Sequence, residues 1–107
     1  MPKRVLVRAA GPALAAFGVT GPLSNPRLTL RDAGGSTVAA NDDWGSAGNP
    51  DAVREAMTQL GAFPFATGSR DAALLITLPP GGYTAVVEGA PGEAGVALIE
   101  VYELPVP

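Results

Sequence analysis

The sequence predicts an all-β chain: a two-layer antiparallel β-sandwich, jelly-roll-like, with one short helix inserted near residues 50–60. Three observations lead there. Residues 71–104 hold three strand-like runs (71–78, 83–88 and 96–103), parted by Pro79-Pro80-Gly81-Gly82 and by a turn with Pro91, Gly92 and Gly95. Such residues interrupt strands and helices alike, and two short turns between apolar runs read as an antiparallel meander. Glycine (14) and proline (11) are plentiful in the 107 residues, and breakers sit between elements, so many short elements follow. Residues 27–32 (RLTLRD) alternate, with Leu28 and Leu30 on one face and Arg27, Thr29 and Arg31 on the other, the period of two that a half-exposed strand requires.

The elements follow in order. Residues 4–8 (RVLVR) suit a strand with Val5 and Val7 on one face and Leu6 on the other, a strand expected to pair with the closing meander. Pro12 can open a short helical or 3₁₀ cap over residues 13–17, with Leu14 and Phe17 turned inward. Residues 22–26 (PLSNP) form a loop. The strand at 27–32 turns at Ala33-Gly34-Gly35-Ser36 into a second strand at 37–40, a hairpin. Asn49 as N-cap, Pro50 at the first helical position and Asp51 in an acidic first turn start a helix. Val53, Met57 and Leu60 then fall at helical spacing before Gly61. Residues 62–70 (AFPFATGSR) connect, with Phe63 and Phe65 packing under the rim.

Composition bounds function. A single domain over 1–107 is expected at this length. Hydrophobic residues at 47% and charged residues at 16% argue for a folded globule, since disorder needs the reverse balance. A net charge of −3 without clustered Lys or Arg lacks the footprint of a nucleic-acid binder. The absence of histidine and cysteine excludes Ser-His and Cys-His nucleophile chemistry and leaves the redox compartment open. The longest apolar runs, near 13–19 and 72–78, fall far below the roughly 20 residues that span a bilayer, so no membrane insertion is expected. No signal-peptide pattern opens the sequence, which suggests either a cytoplasmic protein or a module of a longer secreted chain.

Four groups of residues are candidate sites. Asn41, Asp42 and Asp43, with Asp71 beyond another loop, supply oxygens of the kind calcium takes. The same residues also suit an Asx turn bonding the local backbone. Trp44 is either a stacking platform for a sugar or a plug at the end of the core with its N–H held by a carbonyl. Glu88, Glu93, Glu100 and Glu103 raise paired-carboxylate catalysis, against the ordinary reading of charges on an open sheet face; Glu100 and Tyr102 should share one face of the last strand, opposite Ile99 and Val101. Lys3, the sole lysine, invites an isopeptide crosslink, against a solvated terminal side chain.

Residues 4–19 (RVLVRAAGPALAAFGV), 26–32, 41–44 (NDDW) and 71–102, with the segments LPPGGYTAVVEG and GVALIEVYE, resemble a β-sandwich module that recurs in large secreted or cell-surface proteins of environmental bacteria. The pattern is more loosely similar to pre-peptidase C-terminal-type domains. The resemblance covers nearly the whole chain. It implies an extracellular or cell-surface accessory unit, not itself an enzyme, with calcium held in loops such as residues 41–43. An excised module or a small self-assembling subunit would reconcile it with the missing signal peptide.

The function expected from these readings is a non-catalytic extracellular structural or adhesive module acting through protein–protein contacts, its partner another protein or itself. Residues 96–101 carry few charges to block strand-edge pairing, and Leu104, Pro105, Val106 and Pro107 form an extended tail able to lie on a neighbour. The alternative is a carbohydrate-binding module in which Trp44, Tyr83 or Tyr102 stacks on a glycan and calcium orders the loop.

Overall fold

A computed structural model describes residues 2–46 and 48–105. Its first sheet has the order β4-β1-β6, built from β1 (Lys3–Ala10), β4 (Ala72–Leu78) and β6 (Leu98–Leu104). The second has the order β3-β2-β5, built from β2 (Arg27–Asp32), β3 (Thr37–Asn41) and β5 (Tyr83–Glu88). All strand pairs are antiparallel. The expected β-sandwich is the observed architecture, and one helix, α1 (Pro50–Leu60), covers the outer face of the first sheet.

β1 is central, with Leu6 opposite Leu75 of β4 and Tyr102 of β6. Its side chains go alternately to two cores. Leu6 and Ala10 meet Trp44, Val53, Met57 and Phe65 on the α1 side. Val7 and Ala9 meet Leu28, Leu30, Ala72 and Leu74 between the sheets. A strand buried on both faces reads as a nearly continuous apolar run rather than an alternating one, which is how VLV and AA come to flank Arg8. β2 buries Leu28 and Leu30 and exposes Arg27 and Arg31, as its alternation requires, although Thr29 is buried as well.

Local chemistry sets the ends of the elements. The Asn49 side chain accepts from the Ala52 N–H at the start of α1, Pro50 follows it, and Gly61 closes the helix in the left-handed region at φ 70°, which glycine adopts without a Cβ clash. The β2–β3 turn is held by the Asp32 carboxylate, whose Oδ1 accepts from the amides of Gly34 and Ser36, both at 3.0 Å. These agree with the sequence reading.

The meander does not form. β4 pairs with β1 and β5 with β2, so the chain changes sheet at residues 79–82 and again between β5 and β6. Two prolines in a row suit a turn or a crossover equally, and pairing across the molecule decides: with β4 on β1 and β5 on β2, residues 79–82 carry the chain across the sandwich. The return crossing packs closely: a Cβ on Gly95 would lie 2.8 Å from the Leu23 backbone, and one on Gly89 would lie 2.9 Å from the Leu23 side chain. Val96 makes an isolated parallel bridge to Pro22 before β6 begins at Leu98. Two further expectations change. Phe17 is 62% exposed although Leu14 in the same 3₁₀ turn is buried, because Phe17 stacks edge-on against Phe63 at the surface, with ring centroids 4.9 Å apart. Leu104 belongs to β6 and is buried in the core on the α1 side, so it is no part of a free tail. Val106 and Pro107 of that tail lie outside the described residues.

Candidate functional site

The two sides of the sandwich are finished differently. On one side β3 packs beside β4, and polar side chains close the junction. Asn41, at the end of β3, accepts from the Ala73 amide of β4 at 3.1 Å and donates to the Asp43 carbonyl at 3.0 Å. Asp71 is fully buried just before β4. Its Oδ1 accepts from the amides of Gly11 and Ala13 at 2.7 and 3.1 Å, and its Oδ2 accepts from the Ser69 hydroxyl at 2.7 Å. The Asp71 carbonyl in turn accepts from the Trp44 amide at 2.8 Å. Farther along, Leu74 to Thr77 border a cavity of about 440 Å3 with Arg4, Asn49 and Val53.

This junction gathers the residues read as calcium ligands and shows what holds them. Asn41 and Asp71 bond backbone amides of separate segments, so they act as ties between β1, β3 and β4. Asp42 is exposed, and Asp43 keeps one carboxylate oxygen without a hydrogen-bond partner. Among the described residues no three acidic side chains converge as a metal cluster. Trp44 is the plug: it is 1% exposed, its indole N–H donates to the Ala66 carbonyl at 3.0 Å, and the Arg54 guanidinium lies 5.2 Å from its ring. Its reading as a sugar platform is therefore corrected, because a ring enclosed on all sides offers no face to a glycan. Tyr83 and Tyr102 are both half-buried. Tyr83 donates to the Pro79 carbonyl at 2.7 Å and borders the core between the sheets, whereas Tyr102 donates to Glu100 and packs on the opposite core. They do not form a row of rings.

Sequence reasoning missed Arg8. Read as a flank of β1, it is the largest buried charge, with a side chain 0% exposed against 15% for its partner Glu100. Arg8 Nε and Nη2 donate to Glu100 Oε1 at 3.1 and 2.6 Å, and Nη1 donates to the Phe63 carbonyl at 2.6 Å. Its guanidinium lies 4.3 Å from the Phe63 ring and 4.2 Å from the Phe65 ring. A charge withdrawn from water needs this full set of partners. The available signal was Arg8 itself, an arginine amid apolar residues, which needs a carboxylate when buried; the structure supplies Glu100 as its cross-strand partner. Glu100 is thus not an open-face charge. Its carboxylate, bonded by Tyr102, raises the pKa of that phenol, and burial adds to the effect.

The other side of the sandwich stays open. β5 and β6 are the outer strands there, each with one edge lacking a strand partner among the described residues. Between them lies a groove of about 460 Å3, with Val5, Val7 and Leu30 lining it beside Tyr83 and Ala85 of β5 and Val101 of β6. β6 alternates as expected: Glu100, Tyr102 and Leu104 turn toward the α1-side core, while Ile99 and Val101 turn the other way. There they meet no cover. Val101 is 64% and Ile99 43% exposed there, while Leu98, also 43% exposed, lies on the Tyr102 face at the start of β6.

No protein-family model, curated protein or solved structure matches the chain.

Of the remaining acids, Glu88 is exposed at the end of β5. Glu103 pairs with Lys3 at the exposed end of the first sheet, which gives the lysine an ionic partner. Glu93 lies on the crossing from β5 to β6, and its Oε1 accepts from the Ser24 hydroxyl at 2.7 Å and from the amides of Ser24 and Asn25 at 3.0 and 3.2 Å. The Ser24 hydroxyl is the main reason its carboxyl is held below the ordinary glutamate value, and the amides add to it. No helix among the described residues is long and apolar enough to cross a membrane.

Proposed function

We propose that this protein is a non-catalytic structural or adhesive module of the extracellular or cell-surface kind, and that it works by accepting a β-strand of a protein partner along the open side of the sandwich. One observation carries the reading: an unpaired strand edge, β6, coincides with an exposed apolar row and an apolar groove. A free edge supplies backbone donors and acceptors for an incoming strand, and pockets for alternate side chains supply the selectivity. Exposed apolar surface that is also a pairing edge is costly to leave bare in a soluble protein. The polar groups that could have suggested chemistry are engaged elsewhere, Glu100 with Arg8 and Asp71 with backbone amides. The resemblance of residues 4–19, 26–32, 41–44 and 71–102 to a secreted module supports the extracellular setting.

The test is a fluorescence anisotropy titration with a labelled, lysine-flanked peptide of alternating threonine and valine. Saturable binding that is lost in Val101→Lys is the expected result. Equal binding by wild type and Val101→Lys, or none by either, would remove the open side from the function.

A further inference from the structure

We infer that the strand taken by β6 is the β6 of a second copy of this chain, paired antiparallel about a two-fold axis. This rests on the strand-accepting reading above and deepens it by naming the partner. A bare strand edge is a template for pairing, and charged residues on it are what block association. β6 carries two such charges, and the chain neutralises both internally. Glu100 is drawn onto buried Arg8 of β1, away from the free edge. Glu103 is held by Lys3 of β1. The edge therefore offers a second copy almost no net charge, while Ile99 and Val101 offer it apolar surface.

Symmetry fixes the pairing. In a two-fold antiparallel pair, residues directly across from one another share a face, so one residue must sit opposite its own copy. With Glu100 at the centre, Ile99 of each copy lies across from Val101 of the other, and Leu98 lies across from Tyr102. This register sets every exposed apolar side chain of β6 against an apolar or aromatic one. Cross-strand neighbours of this kind are the unit of sheet stabilisation. The product is one continuous sheet, β4-β1-β6 joined to its symmetry copy, and a closed dimer rather than a fibre.

The experiment is sedimentation velocity on the full chain across a concentration series, for wild type, Val101→Lys and Lys3→Glu, with thermal melts of dilute samples as a check on folding. Both substitutions are at exposed positions, so the dilute melts should agree with wild type. Wild type is expected to pass from monomer to dimer. Val101→Lys should weaken dimerisation at least about ten-fold. Lys3→Glu, which leaves Glu103 unpaired and adds like charge at the edge, should weaken it at low salt and recover in high salt as screening grows. A dimer insensitive to both substitutions, or growth into open-ended polymers, would overturn the two-fold β6 pairing. So would a strict monomer at every concentration. In the monomer case the threonine–valine peptide separates the two claims: binding lost in Val101→Lys would leave the strand-accepting reading intact with a foreign partner, and no binding would end both.

Discussion

The two sides of this sandwich face the same physical problem and solve it differently. Every sheet ends in strands whose outer backbone groups need partners. On the β3/β4 side the chain supplies some of them: Asn41 takes the Ala73 amide, Asp71 ties residues 11–13 to the head of β4, and Trp44 packs beside them in the α1-side core. On the β5/β6 side it supplies none to the edges, and it leaves Ile99 and Val101 exposed. The polar ties at the other side, those of Glu93 to Ser24 and Asn25, hold the crossing into β6 and not a strand edge. The difference shows a chain that ties one edge strand down with a side chain, as Asn41 does for β4, and leaves β6 without such a tie beside its exposed apolar residues.

The contrast can be broken from either side, and the effects should differ in size and kind. Trp44→Ala removes the largest side chain of the α1-side core, beside the closed junction, and should cost about 3–5 kcal/mol, the usual penalty for removing a large aromatic from a core, read as a lower denaturant midpoint. Arg8→Met leaves Glu100 largely buried without its partner and should cost about 3 kcal/mol. Adding Glu100→Gln should return much of that loss, because the stranded charge is then gone. Asn41→Ala leaves the Ala73 amide without an acceptor, a loss of about 1–3 kcal/mol, and should raise hydrogen exchange at the start of β4 before anywhere else. Val101→Lys on the open side should change monomer stability by no more than about 0.5 kcal/mol. It touches association alone.

The smallest effect concerns the crossing into β6. Because the Glu93 carboxyl is held below its ordinary value of 4.5, its tie to Ser24 and Asn25 contributes above the unfolded-state value. That contribution disappears as the pH falls through the lowered folded-state value. Melts taken through this acid range should therefore fall more steeply in wild type than in Glu93→Gln. Equal slopes would remove Glu93 as an anchor of the crossing.

Much of the fold was legible in the sequence because local rules governed it. The alternation in RLTLRD, the Asn49-Pro50-Asp51 start of α1 and the glycines at 34 and 35 each reflect forces acting within a few residues. The sheet order was not legible. Whether β4 and β5 pair or part depends on which strand each finds across the molecule, and two prolines in a row fit a turn and a crossover equally well. The site was legible only in part. Residues 96–101 did stand out as lightly charged, and the exposed row lies among them. Yet nothing local distinguishes Glu100 turned onto a buried arginine from Glu100 in solvent, and the register that decides it spans 92 positions. Trp44 illustrates the same limit, for a tryptophan in turn-like sequence becomes a core residue only through contacts with Val53, Met57 and Phe65.

The comparison of the two sides is tested most directly by amide hydrogen exchange on the wild-type chain at low and high protein concentration. The account expects the amides of β4 and β6 that are bonded to β1 to stay protected at both concentrations, and the alternate amides of residues 98–103 on the free edge to gain protection only in the concentrated sample. If the free-edge amides of β6 exchange at one rate whatever the concentration, or the Ala73 amide exchanges as fast as they do when dilute, the contrast between a self-closed edge and a partner-closed edge is wrong.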